Sequence, residues 1–394
     1  MNYPRIYIAL DNCFALKRWI EPKTWGRVIA EEIGFTSVQA SFDNEIDMLY
    51  GPADYRADWF RALTEAEKKY GFKVESFYTG YQTYRTSGLS HPDERYVRQL
   101  MDGWIKPAID RMAEKQIDMG FALHGIPENI LQDPEKFYRH EQYLYEKYDE
   151  IAAYAQEKGV RVCVESMYSP HHTPWTIEGT KEFLRNVYQR GKHPIYTTVD
   201  VGHMTGQKHF RKPDKEQIKN ALERAVLTGN LEGIWLGGES VYLLAEKAIK
   251  EKNTGDQTLA EIMREMDRYP YQFSTDKKDD DLYAWVKELA CYSPIMHIQQ
   301  TDGIKAAHFP FTEENNKKGI VDGKKLLLAI RDSYERKEEN MPPKTDKIVL
   351  GLELFVSNTD HPRDIVKNMR ETKEYWRQFI PQDGLPLDAL LERL

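Results

Sequence analysis

Four apolar runs in the second half of the chain each end in a residue able to ligate a metal or move a proton. They are Val162-Cys163-Val164-Glu165, Thr198-Val199-Asp200 followed by Val201-Gly202-His203, Ile295-Met296-His297, and Gly351-Leu352-Glu353-Leu354. Any one of these reads as an ordinary strand-end polar group paired with a nearby Lys or Arg. Four in succession read differently. A buried carboxylate without a partner is heavily penalised, and three converging carboxylates repel one another unless a cation lies between them. Three carboxylates and one imidazole form a mostly hard donor set. Such a set favours Mn²⁺, then Mg²⁺ or Co²⁺, over a thiolate-loving Zn²⁺ site.

To converge, these residues need a scaffold that places successive strand ends side by side. The sequence supplies eight short apolar runs alternating with long amphipathic stretches: Ile6–Leu10, Ser37–Ser41, Lys73–Phe77, Gly120–Leu123, Arg161–Val164, Ile195–Val199, Ile295–Ile298 and Ile348–Leu352. Uniformly apolar runs are the mark of parallel strands covered on both faces. Helix starts lie between them, as at Pro22, His91-Pro92-Asp93-Glu94, Asp133-Pro134-Glu135, Gly323 and Asp360 to Pro362, with stops at Gly34 and Gly159. Eight such units predict a (β/α)₈ TIM barrel over residues 1–381, whose catalytic groups project from the C-terminal ends of strands. A plain barrel needs roughly 250 residues, so this one carries a large helical insertion between strands six and seven, residues 205–281. The charged run Asp276 to Asp281 reads as a solvated loop, and residues 382–394 as an amphipathic tail packing on a neighbouring subunit of a homo-oligomer.

Composition narrows the setting. The 394 residues are 41% apolar and 30% charged with net charge -8, the balance of a globular protein. No apolar stretch approaches the ~18 residues of a membrane helix, and the N-terminus reads as a first strand rather than a signal peptide. The absence of a basic run argues against a nucleic-acid partner. Cys13, Cys163 and Cys291 form no CxxC, which points to a reducing cytoplasm rather than a disulfide framework.

The four strand ends, with the Asp200-x-x-His203 spacing, resemble the xylose isomerase-like TIM-barrel superfamily, and within it the D-tagatose 3-epimerase type of sugar isomerase and epimerase. The likeness covers roughly Arg5 to Phe379 apart from the insertion. It includes His308-Phe309-Pro310 and Gly319-Ile320-Val321-Asp322 before a helix. The resemblance implies Glu165, Asp200, His297 and Glu353 as metal ligands, Glu165 and Glu353 also as the catalytic acid and base, and His203 as a group touching substrate. It implies a ketose or ketose phosphate as substrate, converted by proton transfer through an enediolate. Three departures stand out: His171 replaces a second Glu six residues beyond the first ligand, Asp302 falls five rather than three residues after His297, and the insertion has no counterpart. His124, at the expected end of strand four, and Asp302 are further candidates for substrate contact, while Trp25, Trp175 and Trp235 offer aromatic faces.

Three rival readings follow from the same residues. An inosose dehydratase-like lyase would make the same proton abstraction and then lose water. An endonuclease IV-like phosphodiesterase shares Asp-x-x-His but needs a histidine-rich zinc cluster, and strands two and three end here without His. A non-catalytic binding barrel predicts a broken ligand set.

Overall fold

In the computed structural model the eight apolar runs are eight strands: β1 (Arg5–Asp11), β2 (Ser37–Ser41), β3 (Lys73–Tyr78), β4 (Asp118–Phe121), β5 (Val162–Glu165), β6 (Tyr196–Asp200), β7 (Ile295–Ile298) and β8 (Lys347–Leu352). The structure describes every residue except 1–2, 16, 44–45, 47, 49–50, 80–87 and 123–124. Consecutive strands pair in parallel, and β1 pairs with both β8 and β2, so the sheet closes on itself. Helices cover its outside, giving the expected (β/α)₈ barrel. Among the described residues no helix is long and apolar enough to cross a membrane.

The local chemistry works as read. Asp133 caps the helix Pro134–Lys158, accepting from the backbone N–H groups of Glu135 and Lys136 at 3.1 Å, and Gly159 ends that helix at φ +71°, a conformation glycine adopts without steric cost. The largest strand-boundary difference is at β4, which begins at Asp118 rather than Gly120. The Asp118 carboxylate is carried there by Arg161, whose Nε donates to it at 3.1 Å. A charged residue thereby becomes acceptable in a buried strand.

Between β6 and β7 three helices, Lys215–Thr228, Glu239–Lys250 and Asp256–Met266, bury a separate apolar core that includes Ile218, Leu222, Val241, Leu259 and Ile262. The segment is anchored on the helical stretch that follows β4 and on the loop that follows β5. Tyr271 stacks on Phe137 with ring centroids 3.7 Å apart, its hydroxyl and the Gln272 amide both donate to the Leu131 carbonyl at 2.9 Å, and Trp175 Nε1 donates to the Tyr271 carbonyl.

Two expectations are corrected. The run Asp276 to Asp281 is not simply a solvated loop. Asp279 is buried and accepts from Ile177 N at 2.9 Å and Ser274 Oγ at 2.8 Å, satisfying an orphan donor at the start of the helix Ile177–Gly191. The C-terminal tail packs on its own barrel. Its strand β9 (Leu385–Pro386) runs antiparallel to the start of β1, and Leu387 and Leu390 are fully buried in the main core.

Candidate active site

The barrel brings the four strand-end residues to one point. Glu165 ends β5, Asp200 ends β6, His297 lies in β7, and Glu353 follows β8. One ligand atom from each lies within 4.8 Å of all the others. His297 Nδ1 is 2.9 Å from Glu165 Oε1 and 3.3 Å from Glu353 Oε2. His297 is fully buried, and the side chains of Glu165 and Glu353 are only 8% and 14% exposed. Among the described residues, no Lys or Arg ion-pairs with Glu165, Asp200 or Glu353; their ionic neighbours are all histidines. Among the described residues, then, the ordinary alternative for three carboxylates in one place, pairing with Lys or Arg, is not met. With an imidazole as the fourth donor, the set fits a hard or borderline divalent cation.

The metal-free electrostatics point the same way. Burial alone would lower the His297 pKa, but the Glu353 and Glu165 carboxylates overcome it and raise it well above the ordinary value. Burial opposes ionisation of Glu353, yet His297 and His308 hold its carboxyl well below the usual range. A proton on His297 thus stands in for a cation. Since a metal must displace it, loading at neutral pH is expected to release about one proton. Affinity should then rise about tenfold per pH unit until the raised His297 pKa is passed. Calorimetry in buffers of different ionisation enthalpy measures the release; metal binding with no proton uptake by the buffer would contradict it.

A cavity of about 430 Å³ opens above this cluster, lined in part by Glu165, Glu353, His203, His308, Tyr168 and Phe355. His203 lies on its wall with Nδ1 3.1 Å from the Ser166 carbonyl. A carbonyl can only accept, so Nδ1 carries the ring proton in that contact and Nε2 faces Asp200 Oδ2 at 3.7 Å. His308 comes back to the site because residues 301–308 form a loop closed by the Gln300–Phe309 bridge. Its backbone is left-handed, φ +49°, which is strained for a residue with a Cβ. Three contacts hold it: the Gln299 side-chain oxygen accepts His308 N at 2.6 Å, Phe355 N donates to the His308 carbonyl, and the Phe355 ring stacks on the imidazole at 4.0 Å. His308 Nε2 then lies 3.4 Å from Glu353 Oε2, and Asp200, His203 and His308 form a second tight group sharing Asp200 with the first.

Not every candidate joins the site. Asp302 is exposed and closes a turn by accepting from Ile304 N at 2.9 Å; it is not among the cavity-lining residues. His124 lies outside the described residues. His171 stands 3.5 Å from Glu128, away from the cavity lining. Trp25, Trp175 and Trp235 pack elsewhere, and the aromatic walls are Tyr168 and Phe355. Two buried glutamines had no signal in the sequence: Gln299, which donates to both Asp200 oxygens at 2.8 and 3.0 Å, and Gln39, beside His297.

Comparison with known proteins adds relatives to this geometry. The family model described as xylose isomerase-like TIM barrel matches residues 28–230. A D-erythrulose 1-phosphate 3-epimerase of Brucella abortus (strain 2308) is 30% identical over 108 residues, which are 27% of this chain and 32% of that relative. A barrel from Rhodospirillum rubrum ATCC 11170, provisionally named a xylose isomerase, superposes with a TM-score of 0.65 at 18% identity, covering 94% of this chain and 98% of the other. D-psicose 3-epimerase from Clostridium cellulolyticum H10 superposes with a TM-score of 0.53 at 11% identity over 94% and 98% of the two chains. At these identities the structural likeness establishes the fold.

Proposed function

The chain belongs to the xylose isomerase-like TIM-barrel family, and from that premise we propose that it is a divalent-metal-dependent sugar isomerase or epimerase acting on a ketose or ketose phosphate. The observation that carries this reading is the convergence of Glu165, Asp200, His297 and Glu353, with no Lys or Arg partner among the described residues, under a cavity of substrate size. The sugar 3-epimerases among its relatives support it. Mn²⁺ is the favoured ion, with Mg²⁺ or Co²⁺ next and Zn²⁺ last, because the donors are mostly carboxylate oxygens.

A divalent ion held by these four residues supplies Lewis-acid polarisation of a substrate carbonyl, which acidifies the neighbouring C–H. The side chains supply the rest. Glu165 and Glu353 each turn one oxygen toward His297, and no described hydrogen bond engages the other oxygen, Oε2 of Glu165 or Oε1 of Glu353. In this reading it is that second oxygen, on a residue lining the cavity, that takes or gives the proton. One glutamate removes the proton beside the carbonyl, giving an enediolate, and the other returns a proton. Return to the opposite face of the same carbon is epimerisation; return to the former carbonyl carbon, with the hydroxyl proton passing from one enediolate oxygen to the other, is isomerisation. His203, its Nδ1–H held by Ser166, offers Nε2 to a substrate hydroxyl. The Phe355 and Tyr168 rings wall the mouth and suit the apolar face of a sugar.

The test is to assay the metal-loaded protein against a panel of ketoses and ketose phosphates, scoring epimers, aldose isomers and loss of water. Conversion by epimerisation or isomerisation that stops on chelation and returns with Mn²⁺ is the expected result. Dehydration products in their place would overturn the reading in favour of a lyase.

The segment 205–281 extends this proposal. Thr205, Gly206 and His209 line the cavity, and the segment beyond them rests on the helical stretch after β4 and the loop after β5. Connections of this length between elements are usually functional, and this one walls the mouth. Replacing residues 231–252 with a Gly/Ser linker should raise KM while leaving metal affinity and oligomeric state unchanged. Dissociation of subunits with kcat/KM preserved would assign the segment to assembly instead.

A further inference from the structure

Beside the candidate metal ligands, β1 and β2 contribute buried polar residues that do not line the cavity and that the proton-transfer proposal does not use. Gln39, in the middle of β2, is fully buried, as is His297. The Gln39 amide nitrogen Nε2 lies 3.0 Å from His297 Nε2 and also donates to Asp11 Oδ2. The other amide atom, Oε1, accepts from Ser76 Oγ at 3.1 Å. Asp11 is fixed in turn, its Oδ1 accepting from Cys13 N at 2.7 Å. Space for the amide comes from Gly351 on β8, where a Cβ would lie 2.7 Å from Gln39 Oε1. Among the described side chains Gln39 is the hydrogen-bonding partner of His297 Nε2.

One position on Gln39 therefore faces two groups with opposite demands. A bare Asp11 carboxylate calls for an N–H. A His297 that gives its Nδ1 lone pair to a metal must carry its proton on Nε2, and that N–H calls for a carbonyl oxygen. A half-turn of the amide exchanges the two atoms, a choice that heavy-atom positions alone leave open. Ser76 tolerates either setting, because a hydroxyl both donates and accepts. Asp11 does too in its protonated form, which burial and the Glu353 charge nearby favour by raising its carboxyl to about 6: as an acid it can donate to the amide oxygen.

We propose that Gln39 is a positioning residue for the metal centre: its amide oxygen accepts the Nε2–H of His297, fixing the tautomer and ring orientation that aim Nδ1 at the ion. The inference rests on the metal-site reading above. It assigns to the neutral pair Gln39–Ser76 the role that a carboxylate or backbone carbonyl plays behind most metal-bound histidines.

The test compares metal binding with fold. Gln39→Leu keeps the volume and removes both hydrogen-bonding atoms. It is expected to weaken Mn²⁺ binding by about 10–100-fold, read by direct titration, while the circular dichroism spectrum is unchanged. The double variant Asp11→Asn with Gln39→Glu moves the carboxylate onto His297 and turns the old carboxylate into its donor; it should restore Mn²⁺ affinity to the wild-type level. In the Mg²⁺-loaded wild type, imidazole ¹⁵N resonances should show His297 protonated on Nε2. Wild-type Mn²⁺ affinity in Gln39→Leu would overturn the inference while leaving the metal site standing, and a loaded His297 protonated on Nδ1 would overturn it and remove His297 from the ligand set. Failure of the wild type itself to bind Mn²⁺ would instead sink the metal reading. If Gln39→Leu does not fold, Gln39→Met and the double variant carry the same comparison.

Discussion

Glu165→Gln and Glu353→Gln are each expected to lower kcat by about 10²–10⁴-fold, the contribution of a positioned general acid or base. An amide keeps the size of the side chain and leaves one oxygen for the metal, but it cannot take up the substrate proton. The two variants should differ in a second respect. Glu353 also holds His308, with Nε2 3.4 Å from its Oε2, and losing that charge loosens the loop that returns His308 to the cavity. Glu165 has no such second duty beyond its contact with His297 and its approach to His203. Glu353→Gln should therefore raise KM as well as lower kcat, and Glu165→Gln should act chiefly on kcat. Steady-state kinetics on the best ketose of the panel separate the two. Equal kcat and KM in both variants and wild type would remove the glutamates from the chemistry.

His297→Ala is expected to destabilise the metal-free protein by about 3–5 kcal/mol, the usual cost of removing one partner of a buried charge pair. The pH dependence gives the sign. His297 has its pKa raised in the fold, so its contribution is complete below the unfolded imidazole value, near 6.5, and fades as pH rises through the folded one. Glu353 has its pKa depressed, so its contribution is complete above the unfolded carboxyl value, near 4.3, and fades as pH falls through the folded one. Between those two limits both terms are present, and the deficit of His297→Ala should be largest there. Denaturant unfolding in the presence of chelator, at pH 5.5 and again at pH 9, measures it. A deficit that grows toward pH 9 would contradict the ion-pair account.

The barrel could be read from the sequence because its signals are local. Uniformly apolar runs mark buried parallel strands, and Asp133-Pro134 or Gly159 mark helix ends by backbone chemistry that needs no tertiary context. The four strand-end candidates were legible for the same reason, since strand register decides which residue reaches the rim. What escaped depends on loops and on pairing across the barrel. His308 reaches the cavity through a turn with a left-handed residue that no propensity rule assigns to histidine. Gln39 and Gln299 are neutral residues in or beside apolar runs, distinguished only by what meets them, His297 across the barrel for Gln39 and Asp200 on the adjacent strand for Gln299. Asp279 was hidden in a charged run whose composition signals solvent, and the start of the helix Ile177–Gly191 draws it inside. Asp302 failed in the opposite way: its position near His297 in sequence is undone by a turn that points it outward.

The central claim, that this site moves a proton at the carbon beside a ketose carbonyl, is tested most directly by turnover in deuterium oxide. The Mn²⁺-loaded protein should place solvent deuterium at the carbon that regains the proton, the same carbon in an epimer and the former carbonyl carbon in an aldose, detected by loss of the proton resonance, and Glu165→Gln should abolish the exchange. Converted sugar with no deuterium at that carbon, or no exchange into any ketose or ketose phosphate of the panel by protein with its metal in place, would contradict it.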